Sequence, residues 1–130
     1  MPNTGECILV VDDVEDVREG IKSLLEAEGF AVCTAENGLK ALQIIKNKKI
    51  NLVITDVLMP EMDGIEMCQE IKADHPDMLF ILVSGGGNQF SSSGSYDYLH
   101  AAKKITGIND VLKKPFEPEK LVELVKEKIS

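Results

Sequence analysis

Cys7-Ile8-Leu9-Val10-Val11-Asp12-Asp13 is the stretch that decides how the rest of the chain is read. Its apolar run, rich in β-branched residues, suits a strand covered on both faces, as in a parallel sheet, better than a strand with one wet side. The run stops on two acids. The same pattern returns at Asn51-Leu52-Val53-Ile54-Thr55, which closes on Asp56, and at Leu79-Phe80-Ile81-Leu82-Val83, which closes on Ser84. Phe30 to Ala35 and the short Asp110-Val111-Leu112-Lys113 complete a set of five candidate strands.

Helix-period segments lie between them. From Glu15 to Glu28 the residues Val17, Ile21, Leu24 and Leu25 form one stripe, and Gly29 is placed to end the helix. Asn37-Gly38 turns into a helix through Lys48, with Leu39, Leu42 and Ile45 expected on one face. Asp63 is placed to cap a helix to about Ala73, with Ile65, Cys68 and Ile71 inward. Gly85 to Ser95 reads as a loop, and Tyr96 to about Ile105 as a helix. Pro118 opens a last helix that turns Leu121, Val122, Val125 and Ile129 inward. Strands alternating with helices predict an α/β fold: a five-stranded parallel sheet in the order 2-1-3-4-5, with helices on both faces. No repeat or linker interrupts the pattern, so residues 1–130 are read as a single domain.

Composition removes several classes of function. The net charge of −8 would repel a nucleic-acid backbone, and no basic cluster is interleaved with aromatic residues. Lys46-Asn47-Lys48-Lys49 reads as a solvated helix end. No apolar run approaches the length of a membrane span, and the first residues show no basic leader. Three cysteines without CxxC spacing fit reduced, buried thiols in a cytoplasmic protein better than a disulfide framework or a zinc site.

Ligands of open α/β sheets sit outside the carboxyl ends of the strands. Gathered there are Asp12 and Asp13 from the first strand, Asp56 from the third, Ser84 from the fourth, and Lys113 or Lys114 from the fifth. Clustered carboxylates repel one another unless a cation or protons neutralise them, and oxygen-only ligands favour a hard cation such as Mg²⁺. A carboxylate held beside such an ion can act as a nucleophile towards a phosphoryl group, with the metal and a Lys offsetting its charge. Each residue alone has an ordinary structural explanation, as a cap, a turn residue or a solvated Lys. The conjunction at four strand ends carries the functional reading.

The segments Leu9-Val10-Val11-Asp12-Asp13, Asp56-Val57-Leu58-Met59-Pro60-Glu61-Met62-Asp63-Gly64, Val83-Ser84 and Lys114-Pro115-Phe116 resemble, in order, those of a receiver domain of the response-regulator family. The flavodoxin-like doubly wound order 2-1-3-4-5 is that of the chemotaxis receiver, a known example of the order. The resemblance implies that Asp56 is phosphorylated by a histidine kinase or histidine phosphotransfer protein. It implies that Asp13 and Asp56 ligate Mg²⁺ directly, that Asp12 acts through water, and that the backbone carbonyl of Leu58 completes the protein ligands. Ser84 would hydrogen-bond the phosphoryl group, and Lys114 rather than Lys113 would pair with it, because the family's Lys directly precedes the Pro. Such a domain catalyses only its own phosphorylation and dephosphorylation, and signals through altered protein contacts to an output protein that the residues do not name.

Two departures from the family stand out. Val111 occupies the position where Tyr or Phe is usual, and the stretch between Ser84 and Lys114 is long and starts with Gly85-Gly86-Gly87. Other functions compete less well. A haloacid-dehalogenase-like phosphatase needs a second Asp two residues after the first, and Val14 and Leu58 stand there instead. A flavin binder would want a phosphate-cradling frame that Gly85-Gly86-Gly87 lacks. The remaining alternative is a degenerate receiver that binds partners without being phosphorylated.

Overall fold

A computed structural model of the chain describes residues 7–56, 64–84, 103–104, 106–108, 110–113 and 116–129. The elements are β1 (Cys7–Val11), α1 (Glu15–Ala27), β2 (Ala31–Ala35), α2 (Gly38–Asn47), β3 (Leu52–Asp56), α3 (Gly64–Asp74), β4 (Leu79–Ser84), β5 (Val111–Lys113) and α4 (Pro118–Ile129). The strands form one sheet in the order β2-β1-β3-β4-β5, with every neighbouring pair parallel. The fold class read from the sequence therefore holds. Of the helix expected from Tyr96 to Ile105, only Lys103 and Lys104 are described, and both are helical. The Gly85–Ser95 loop and the proposed cap Asp63 lie outside the described residues.

Strand periodicity builds the core on both faces. Leu9 and Val11 pack with Val53, Phe80 and Leu82 against Ala41 and Ile45 of α2 and Met67, Cys68 and Ile71 of α3. Ile8 and Val10 point the other way, joining Leu52, Ile54, Ile81 and Val83 against Ile21 and Leu25 of α1 and Leu121 and Val125 of α4. All five residues of β1 are buried, as the uninterrupted apolar run requires.

Local chemistry sets the helix ends. Asn37 caps α2, its side chain accepting from the Lys40 N–H at 2.8 Å. Glu28 closes α1, and Gly29 follows it at φ 97°, a left-handed conformation that glycine adopts without a Cβ clash. One sequence expectation is corrected on α2. Leu39 is 50% exposed, and the buried stripe is Gly38, Ala41 and Ile45, with Leu42 at its margin. At 100° per residue, Leu39 is turned well away from the Ala41–Ile45 line, so it cannot share that face.

Candidate functional site

The sheet register decides which side chains meet at its carboxyl edge. Val11 pairs with Thr55 and Asp56 with Val83, so Asp12 and Asp13 leave β1 beside the end of β3. Asp12 is buried, held by its backbone N–H, which donates to the Ala35 carbonyl at 3.2 Å. Its Oδ1 accepts from the Val14 N–H at 2.9 Å, turning the chain sharply into α1. Val14 is the residue before α1 and gives no side-chain cap, so Asp12 supports this entry from outside the helix. Arg18 on the first turns of α1 donates from Nη1 to the Asp12 carbonyl at 2.9 Å. That contact was not legible in the sequence, although an Arg one helical turn after an acidic loop was the available signal.

Asp56 ends β3 and is also buried, while Asp13 is exposed. Thr55, fully buried, donates its hydroxyl to the Asp56 carbonyl at 2.9 Å, so its polar atom is satisfied inside the sheet. Asp12, Asp13 and Asp56 each bring a carboxylate oxygen within 4.8 Å of the others. Oxygens sharing one Mg²⁺ stand at most about 4.2 Å apart, twice the bond length of about 2.1 Å. The trio is close to that spacing, and its all-oxygen chemistry suits a hard divalent cation. Three acids with two of them out of water also need a positive charge to offset their mutual repulsion.

Ser84 is the last residue of β4, one step beyond the Asp56–Val83 pair, and its register partner on β5 is Lys113. The backbone thus brings the ends of β1, β3, β4 and β5 to one edge, as expected. Lys113 is exposed there. Lys114, Pro115 and Leu58, to which the family resemblance gives roles, lie outside the described residues. Val111 is half-buried and packs on the Leu82 side of the core.

The sequence model of the response regulator receiver domain family matches residues 8–126. The chain is 32% identical over 115 residues to the response regulator MprA of Mycobacterium sp. (strain KMS), covering 88% of this chain and 46% of that protein. It is 37% identical over 121 residues to a putative response regulator NtrX-like of Rickettsia bellii, covering 92% of this chain and 24% of that one. Among solved structures, a CheY-like response regulator receiver domain protein of Methanospirillum hungatei superposes with a TM-score of 0.81 at 31% identity, covering 95% of this chain and 93% of that one. The chain belongs to the response regulator receiver domain family. It spans less than half the length of the curated relatives it matches here. Among the described residues, no helix is long and apolar enough to cross a membrane.

Proposed function

We propose that residues 1–130 act as one cytoplasmic phosphoacceptor receiver, taking a phosphoryl group on Asp56 from a histidine kinase or histidine phosphotransfer protein. The observation that carries this is the Asp12–Asp13–Asp56 trio, with its carboxylate oxygens within 4.8 Å of one another at the carboxyl edge of a receiver-family sheet. Asp12, Asp13 and Asp56, with the carbonyl of Leu58, would hold Mg²⁺. When bound, that ion supplies positive charge against the phosphoryl oxygens and the acids.

The chain's own residues then have distinct tasks. One Asp56 carboxylate oxygen attacks phosphorus as the bond from phosphorus to the donor imidazole breaks, and an aspartyl phosphate results. Asp56 is suited to this because the backbone of β3 fixes it at the sheet edge, limiting the directions it can attack from. Ser84 would donate to a phosphoryl oxygen, and the Lys114 ammonium would pair with another. Water later cleaves the acyl phosphate, releasing inorganic phosphate and restoring the Asp56 carboxylate, so the chain catalyses only its own phosphorylation and dephosphorylation. The signal passes through changed contacts with an output protein.

Acetyl phosphate with Mg²⁺ tests this on the intact chain. The expected result is a mass gain of about 80 Da, one phosphoryl group, that is absent with EDTA and absent in Asp56→Asn. An unlabelled wild-type protein would favour the degenerate, phosphorylation-independent receiver. A labelled Asp56→Asn protein would move the nucleophile elsewhere.

A further inference from the structure

The amino end of the sheet carries a second cluster that phosphoryl transfer does not use. Cys7 opens β1 and Cys33 lies in the middle of β2. The register pairs Cys7 with Ala31 and Leu9 with Cys33. The two cysteines are therefore diagonal neighbours on adjacent strands, with side chains on one face of the pleat. Their sulfurs stand 3.4 Å apart, and both are free thiols. Cys7 is buried, whereas Cys33 is only partly covered and meets solvent.

Lys48 completes the group. It belongs to the basic turn after α2 that reads in sequence as a plain solvated helix end, and it is exposed. The Lys48 amine is held above the ordinary lysine value by the nearby cysteines, Cys33 first. The Cys7 thiol is pushed up to about 11 by burial first, then by its hydrogen bond with Cys33. A dithiol arranged in this way has one covered sulfur that holds its proton and one sulfur open to solvent. Thiolates are the attacking form of cysteine, and an oxidant must reach the sulfur, which the partly covered Cys33 allows and the buried Cys7 does not.

We propose that Cys7 and Cys33 are a peroxide-reactive dithiol, with Cys33 the attacking sulfur and Cys7 the resolving sulfur. The Cys33 thiolate attacks one oxygen of a hydroperoxide. The O–O bond breaks, the sulfur gives up two electrons, and the departing oxygen takes a proton to leave as water or an alcohol. Cys33 is then a sulfenic acid. The Cys7 sulfur attacks the Cys33 sulfur, the S–O bond breaks, and the hydroxide leaves as water with the Cys7 proton. Two thiols and one hydroperoxide thus give one disulfide, one water and one further water or alcohol. Closing a 3.4 Å gap to the S–S bond length of about 2.05 Å requires the paired strands to shift, because the two cysteines are diagonal rather than register partners.

Hydrogen peroxide on the reduced, intact chain tests the proposal. After quenching and alkylation, peptide mass spectrometry should find Cys7 linked to Cys33, about 2 Da lighter than the separate thiols. Dithiothreitol should reverse the link. Cys68, fully buried in α3, should remain alkylatable on denaturation and serves as the internal control. In Cys7→Ser, dimedone should trap a sulfenic acid at Cys33. Cys7 and Cys33 recovered separately alkylated, or a covalent dimer in place of the internal link, would overturn the dithiol. A sulfenic acid trapped at Cys7 in Cys33→Ser, with none at Cys33 in Cys7→Ser, would overturn the assignment of the attacking sulfur. The wild-type measurement tests the dithiol with no substitution that could disturb folding.

Discussion

β1 and β3 are similar apolar strands that finish differently at their two ends. At the amino end, the Cys7 N–H donates to Asn51 Oδ1 at 2.9 Å, and the Asn51 N–H donates to the Cys7 carbonyl at 2.9 Å. One neutral side chain closes the edge where the ladder begins. At the carboxyl end, the same strands deliver Asp12, Asp13 and Asp56 into one place, two of them buried. Neutral hydrogen bonds inside a sheet stabilise it, whereas clustered like charges oppose the compact state. The contrast shows where this fold accepts a local cost, and it lies at the end where the strands leave room for a ligand.

Changes that exchange the properties of the two ends would break the contrast. The largest stability effect is expected at the amino end. Asn51→Ala leaves the Cys7 N–H without its side-chain acceptor, and should destabilise by about 1–3 kcal/mol in urea unfolding. Phosphoryl labelling at low temperature should survive it, because the acids sit at the opposite edge. A loss of labelling that matches the loss of stability would show that the two ends are not separable.

A smaller effect of opposite sign is expected at the carboxyl end. Asp13→Asn removes one of three like charges and should stabilise the chain in EDTA by about 0.5 kcal/mol. The same substitution should weaken Mg²⁺ binding in a calorimetric titration. If it destabilised the metal-free chain, the acids would be structural rather than strained.

The smallest effect serves as a control away from both ends. Glu36 is exposed, and the Lys40 ammonium, hydrogen-bonded at 3.0 Å, holds its carboxyl below the ordinary value of 4.5. With the folded value depressed, the contribution is present above the unfolded value and fades as pH falls through the folded one. Urea midpoints of wild type and Glu36→Gln should therefore differ slightly at neutral pH and draw together as the pH falls through the acid range. A gap that widened in acid would reverse that sign.

Strand identities were legible because burial on both faces leaves a continuous apolar run, and Cys7–Val11, Leu52–Asp56 and Leu79–Ser84 follow such runs to within a residue at each end. The three acids were legible because each ends one of those runs. Helix faces were less so. Leu39 looked like core by hydropathy, but the start of α2 at Gly38 fixes a phase that turns it outward. The support of α1 was legible only as one of two open readings, since Asp12 and Asp13 each had a cap as their ordinary explanation. Asp12 bonds the Val14 N–H from outside the helix, and a capping rule looks only at the residue next to the helix. Cys7 and Cys33 were read as separate buried thiols, since only the β1–β2 register makes residues so far apart in sequence diagonal neighbours. The roles of Leu58 and Lys114 rest on the family motif, with no described geometry behind them.

In the proposed function Asp56, among three crowded acids, is the one that takes the phosphoryl group. Borohydride reduces an acyl phosphate to an alcohol and leaves an ordinary carboxylate untouched, so it marks the acylated Asp as homoserine. Wild-type protein treated with acetyl phosphate and Mg²⁺, reduced in this way and mapped by peptide mass spectrometry, should carry homoserine at position 56 and unmodified Asp at 12 and 13. Homoserine at Asp12 or Asp13, or none at any of the three, would contradict the account.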